Sequence, residues 1–297
     1  MGKKLTVIIL FALLLFGISS CKKDRAQELN LDEQTQVGEN EIVEPAPESM
    51  EGLMLELPLA KYEYNWGRGD QMPDVVIIID DFGYTSGQLL EDFANLPPEI
   101  VFAVMPNLAQ TKISAEKGAA KGHEIILHLP MEAQLSSTSP GERYISEDMS
   151  KDEIAPMIDS FLEQLPMAIG VNNHMGSTST ESISTMDAVL RHLKRRGLFF
   201  IDSVTTAKSV AYAVSKEYNL PFARRDIFLD VPDSSDETLA QKIQDLGKYK
   251  GRREPVIIIT HCHNREKLDA LHKFLAQIKG MGINIIPLRD VFGSSRV

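Results

Sequence analysis

Beyond Pro73 the chain alternates short, wholly apolar runs with longer stretches of mixed polarity. Val75-Val76-Ile77-Ile78-Ile79 is a continuous β-branched run, the pattern of a strand buried on both faces rather than one. Similar runs at 101–105, 125–129, 168–171, 198–201, 227–229, 256–259 and 283–286 predict further buried strands. Between them, 86–95, 110–121, 151–165, 183–196, 207–218, 236–248 and 265–279 carry helical spacing. Gly122, Gly197 and Gly282 fall where a helix C-terminus wants a left-handed residue, and each leads directly into the next strand. Repeated strand–helix units predict a parallel sheet covered by helices, and seven or eight such units suit a (β/α) barrel in one domain, 73–297. An open doubly wound sheet is the competing arrangement, but no glycine-rich phosphate loop follows the first strand.

The first twenty residues have a different grammar. Lys3 and Lys4 precede an apolar run over 5–18, too short to span a bilayer comfortably, and Ser19-Ser20-Cys21 follows. This ending resembles a bacterial lipobox, so 1–20 is expected to be a lipoprotein signal peptide and Cys21 the lipidated residue that holds the chain to a membrane. An uncleaved anchor helix is the alternative; either way the bulk of the chain is expected outside the cytoplasm, in the periplasm or at the outer membrane. Residues 21–72 are expected to be an acidic tether: ten acids against one base (Arg25) lie between Asp24 and Glu56, with Pro45, Pro47 and few large apolar residues.

That tether changes how the composition is read. The 297 residues are 43% hydrophobic and 25% charged, with a net charge of −11, which argues against a nucleic-acid partner. Most of the acidity belongs to the tether, however, so it says little about a substrate. Two cysteines exclude a disulfide framework and a cysteine-based zinc cluster.

The informative polar residues sit at the carboxyl ends of the predicted strands, where parallel α/β folds collect their chemistry. The first strand runs into Asp80-Asp81-Phe82-Gly83, the third into His128-Leu129-Pro130-Met131-Glu132, and the fourth into Asn172-Asn173-His174. The fifth ends at Asp202-Ser203 and the seventh at Thr260-His261-Cys262-His263. Each piece alone has an ordinary structural use as a turn, a cap or a satisfied histidine. Four of the seven histidines at successive strand ends, beside paired carboxylates, instead point to a divalent cation, with a nitrogen–oxygen donor set suited to zinc. His123, His192 and His272 fall away from these ends and read as structural or solvated.

The stretches 76–83 (VIIIDDFG), 102–106 (FAVMP), 122–132 (GHEIILHLPME), 170–177 (GVNNHMGS) and 198–205 (LFFIDSVT), with the region around His261–His263, resemble the divergent polysaccharide deacetylases, relatives of the family-four carbohydrate esterases. The resemblance implies an incomplete (β/α) barrel, usually seven-stranded, and a metal-dependent hydrolase removing acetyl groups from an N-acetylated glycan such as peptidoglycan or an exopolysaccharide, with zinc the expected divalent metal. By the same resemblance Asp80 matches the catalytic base, Asp81 and His128 match metal ligands, and Asp202 matches the acid that orients catalytic groups. His261 or His263 matches the histidine that protonates the leaving amine. The better-known deacetylases place a second metal histidine four residues after the first; here that position is Glu132, and His174 is the expected substitute ligand. The departure leaves a second expectation open, a non-catalytic envelope lipoprotein that binds glycan or a partner on the same barrel. A phosphoesterase is a weaker rival, since no Arg or Lys cluster marks these strand ends.

Overall fold

The computed structural model describes residues 60–134 and 139–293. The signal sequence, Cys21 and most of the acidic segment lie outside the described residues. Among the described residues no helix is long and apolar enough to cross a membrane.

Six full strands form most of the sheet: β1 (Val75–Phe82), β2 (Val101–Val104), β3 (Ile125–Met131), β4 (Gly170–Met175), β5 (Phe199–Asp202) and, late in the chain, β8 (Val256–His261). Two short pieces, β6 (Phe222–Arg224) and β7 (Ile227–Phe228), occupy its two edges. The order is β6-β5-β4-β3-β2-β1-β8-β7, and every pairing between these strands is parallel. β6 bonds to β5 and β7 bonds to β8, yet only Arg225 and Asp226 separate them in sequence. One interrupted run therefore serves both edges, and the sheet is an incomplete (β/α) barrel with eight strand segments on seven staves.

Seven helices of at least seven residues follow the strands: α1 (Gly87–Ala94), α2 (Thr111–Ala120), α3 (Lys151–Leu162), α4 (Ile183–Arg195), α5 (Ala211–Glu217), α6 (Asp236–Leu246) and α7 (Arg265–Gly280). Strand alternation builds two cores. Val76, Ile78, Val101, Ala103, Ile126, Ile201, Ile257 and Ile259 fill the barrel interior. Val75, Ile77, Ile79, Phe102, Leu127 and Ile258 face the helices, packing with Phe93, Phe161 and Phe274. Gly170 shows how tightly neighbouring strands pack: a Cβ there would lie 1.9 Å from the ring of its register partner Phe199.

Three expectations change. The predicted strand 283–286 reduces to a bridge, Ile285 against Val75. β6 was not anticipated, because a three-residue segment after Pro221 is too short to show periodicity. The boundary at 73 also moves towards the N-terminus. Tyr62 packs edge-on against Tyr64 and Tyr212, the Tyr64 hydroxyl donates to Asp226, and Trp66 bridges Arg252. Residues 60–72 thus form a strap on the barrel rather than free tether.

Candidate metal centre

β1 carries an irregularity that the chemistry requires. In a regular strand Asp80 and Asp81 would face opposite sides of the sheet. The pairing of β1 with β2 shifts register between Ile79 and Phe82, and Asp81 takes a left-handed φ of 70°. This bulge brings two adjacent carboxylates to one side, at a backbone cost of about 1–3 kcal/mol of the kind found at functional sites. Both are buried, Asp80 at 2% exposure and Asp81 at 4%.

Register supplies the rest. Asp80 lies opposite His261, His128 opposite Asn172, and Pro130 opposite His174. One oxygen of Asp81 is 3.0 Å from His174 Nδ1 and 3.3 Å from His128 Nε2, and those two nitrogens are 3.1 Å apart. A tetrahedral zinc with ligand bonds of about 2.0–2.1 Å separates its ligand atoms by about 3.3 Å, so the triangle has the size of one face of such a site. The same Asp81 oxygen is buried and, among the described residues, has no hydrogen bond of acceptable geometry: the ring nitrogens approach it without aiming an N–H at it. Three donor atoms converging this closely, one of them a buried carboxylate oxygen, have the geometry and the donor set of a cation site.

Asn172, read from sequence as a turn cap, fixes the polarity of this arrangement. Its amide donates to Asp80 Oδ1 at 2.8 Å, because a carboxylate only accepts, so its oxygen faces His128 Nδ1 at 2.8 Å. His128 must then donate from Nδ1, leaving Nε2 as the nitrogen that faces the cluster. Burial pushes the Asp80 carboxyl above its usual range against the pull of His128 and His261. Burial also pushes on Asp81, but the imidazoles of His128, His174 and His263 outweigh it and hold that carboxyl well below the usual range. Two neighbouring acids are thus driven apart, one toward holding a cation and the other toward accepting a proton.

Beside Asp80, on the neighbouring strand β8, His261 makes a separate pair. Its Nδ1 lies 3.0 Å from both oxygens of Asp230, and its backbone N–H donates to the same carboxylate at 3.1 Å. Lys267 also bonds Asp230. Burial would raise the Asp230 carboxyl, but His261 and Lys267 bring it down to about 2. Burial would lower His261, and Asp230 reverses that, holding the imidazolium to higher pH than usual. Asp230 ends the short run 227–229; a single Asp before Val231-Pro232 gave no sequence signal.

The sequence model of the family described as divergent polysaccharide deacetylase matches residues 77–292. The chain belongs to this family. It is 37% identical over 191 residues to the uncharacterized protein YibQ of Escherichia coli K12, covering 64% of this chain and 58% of that one. It is 33% identical over 158 residues to an uncharacterized protein of Haemophilus influenzae, covering 52% of this chain and 55% of the relative. The matches thus span little more than half the length of these curated relatives. The crystal structure of the uncharacterized Agrobacterium tumefaciens protein ATU2773 matches in fold, with a TM-score of 0.64 at 22% identity over 76% of this chain and 91% of that one.

As a divergent deacetylase the chain departs from the expected arrangement at two carboxylates. Glu132 stays out of the cluster: its Oε2 accepts from Ser146 Oγ at 2.6 Å and from the Glu147 N–H at 3.0 Å, tying down the chain that follows β3. Asp202 does not orient the histidines. Phe199 and Ile201 pack toward the barrel interior side of β5 with Ala223 and Ile257, so the next residue projects the other way. Its oxygens accept from the Val204 N–H and Ser209 Oγ, and the carboxylate found on His261 is Asp230. His263 Nε2 sits 2.6 Å from the second oxygen of Asp81, at the mouth of the site. His123 bonds the Ile100 and Ala94 carbonyls and His192 bonds Asp159, both structural uses.

Proposed function

We propose that this chain is a zinc-dependent hydrolase of the bacterial envelope that removes acetyl groups from an N-acetylated glycan. The observation that carries the reading is the triangle of Asp81 Oδ1, His128 Nε2 and His174 Nδ1, with Asp80 beside it and the Asp230–His261 pair next to Asp80 on the adjoining strands. Asp81, His128 and His174 would hold the cation, which when bound supplies a Lewis acid for an amide carbonyl and lowers the pKa of water. Asp80, raised by burial and steadied by Asn172, accepts a proton from the attacking water. His261, kept as imidazolium by Asp230, delivers a proton to the departing amine. His263 is committed to Asp81 at the half-exposed mouth of the site.

Purified protein supplied with zinc is expected to release acetate from chito-oligosaccharides or peptidoglycan. Zinc uptake without acetate from either would sink the hydrolase reading in favour of a glycan-binding lipoprotein. The envelope location rests on Lys3, Lys4, the run over 5–18 and Cys21. Fatty-acid labelling present in the parent and lost in Cys21→Ser tests it; a label retained in Cys21→Ser would count against the anchor.

The acid role of His261 has a signed consequence in pH. Activity that needs its imidazolium falls as pH rises through its pKa, which Asp230 holds above the ordinary value. Asp230→Asn removes that support. The alkaline limb of kcat/KM is therefore expected to move down by about one pH unit or more, the effect of losing one close opposite charge. An unmoved limb in a folded Asp230→Asn protein would remove His261 from this role.

A further inference from the structure

On the same carboxyl rim as the metal triangle, where β5 and β6 end, lies a cavity of about 380 Å³ lined by none of the triangle's residues. Its walls come from the strap (Lys61, Tyr62), the loop after β5 (Lys208), α5 (Tyr212) and β6 (Arg224). Among the described residues these three cations form no ion pair with a carboxylate, in a chain whose net charge is −11. The only acid in the wall is Asp202, whose oxygens are already committed to the Val204 N–H and Ser209 Oγ. Tyr62 and Tyr212 meet edge-on at 4.7 Å, and the Arg224 guanidinium lies 5.6 Å from the Tyr62 ring. The cavity therefore combines aromatic faces with an excess of two positive charges.

It is also fixed relative to the metal triangle. Ser203, adjacent to Asp202, donates its N–H to Asn173 Oδ1 at 2.8 Å, and its hydroxyl lies 3.4 Å from the Asn172 amide that holds Asp80. Arg225 donates to the carbonyls of Ser203 and Val204 at 2.7 and 2.8 Å, locking the loop between the two sites. A glycan that reaches from Asp80 past the end of β4 to the ends of β5 and β6 would touch both.

We infer that this cavity is a subsite for an anionic group on the glycan, a carboxylate or phosphate borne by a sugar near the one presented to the metal triangle. Lys61, Lys208 and Arg224 would neutralise the anion, while Tyr62 and Tyr212 pack against the ring that carries it. The assignment rests on the hydrolase reading for its link to turnover, but not for binding itself.

Calorimetry on the full chain with zinc separates the possibilities. A hyaluronan hexasaccharide, which alternates glucuronate with N-acetylglucosamine, is expected to bind about tenfold tighter than chitohexaose at low salt, an advantage that shrinks as salt is raised. Lys208→Gln/Arg224→Gln, with unfolding checked to be unchanged, is expected to erase that advantage. Displacement of the acidic hexasaccharide by glucuronate assigns the subsite to carboxylates, and displacement by inorganic phosphate alone assigns it to phosphates. Equal affinity for the two hexasaccharides, or an advantage that survives the double substitution, overturns the inference. Asp81→Asn is expected to stop acetate release while preserving the acidic preference, so a failed hydrolase reading and a failed subsite give different results.

Discussion

Replacing His128 with alanine is expected to strip the protein of tightly bound zinc and to lower kcat/KM for acetate release by about 10³-fold or more, the loss of several kcal/mol of charge stabilisation. The argument is geometric. His128 Nε2 is one corner of a triangle whose edges are 3.0, 3.1 and 3.3 Å, and the carboxylate next nearest to that corner, Asp80, stands 3.6 Å from it in the role of base. His174→Ala should behave alike, because in the proposed site its Nδ1 is the second nitrogen of the triangle. Glu132→Ala is the contrasting case. Its carboxylate is spent on Ser146 and Glu147, so zinc should remain bound while the chain after β3 loosens. Asn172→Leu should fall between, with zinc affinity about 10–100-fold weaker, since it removes the group that turns Nε2 of His128 inward without removing a ligand. Metal content by mass spectrometry and competition with a chromophoric chelator read all four. A His128→Ala protein that keeps stoichiometric zinc and normal turnover would refute the site, whatever the fate of Glu132.

The contrast between His174 and Glu132 shows where sequence was informative. Strand runs such as 75–79 and 256–259 were legible because burial on both faces demands unbroken apolar residues, and strand ends then marked the chemistry. Helix limits were legible to within a few residues; α5 begins at Ala211 rather than 207 because the chain from Val204 to Ser209 wraps around Asp202 first. Direction within the site was less legible. Asp80 and Asp81 face one side only because of a bulge, and nothing in the letters IDDFG separates a bulged strand from a regular one. Asp202 was misdirected for the converse reason: β5 is regular, and the alternation that places Ile201 inside turns Asp202 out. Asp230 was invisible because its partnership with His261 spans 31 residues and depends on two staves lying side by side. Sequence shows which groups gather at a rim; the register decides which of them meet.

The largest expected effect on stability lies far from the metal triangle, at the seam where the seventh stave is broken. Arg252 is fully buried. Its Nη1 and Nη2 bond the two oxygens of Asp226 at 2.8 and 2.7 Å, and its Nε donates to the Glu254 carbonyl at 3.0 Å. The guanidinium lies 4.0 Å from the Tyr64 ring and 4.7 Å from the Tyr249 ring. Asp226 in turn accepts from the Ile257 N–H at 2.9 Å and from the Tyr64 hydroxyl, so one carboxylate ties together the broken stave, β8 and the strap. Truncating one partner of such a pair strands the other charge away from water, a loss of about 3–5 kcal/mol. Arg252→Met is expected to reach that range and to lower the melting temperature by roughly 10 °C or more for a domain of this size. Arg252→Met/Asp226→Leu should be less destabilised than the sum of its single changes, because it leaves no orphaned charge. Tyr64→Phe should cost only about 1 kcal/mol, one hydrogen bond to a partner that keeps its arginine. Urea unfolding of the parent, Arg252→Met, Asp226→Leu, the double variant and Tyr64→Phe decides the matter. Additive losses in the double variant would mean that the pair acts as two independent groups, and the seam would then owe its closure to the backbone bonds of β6 and β7 rather than to Arg252.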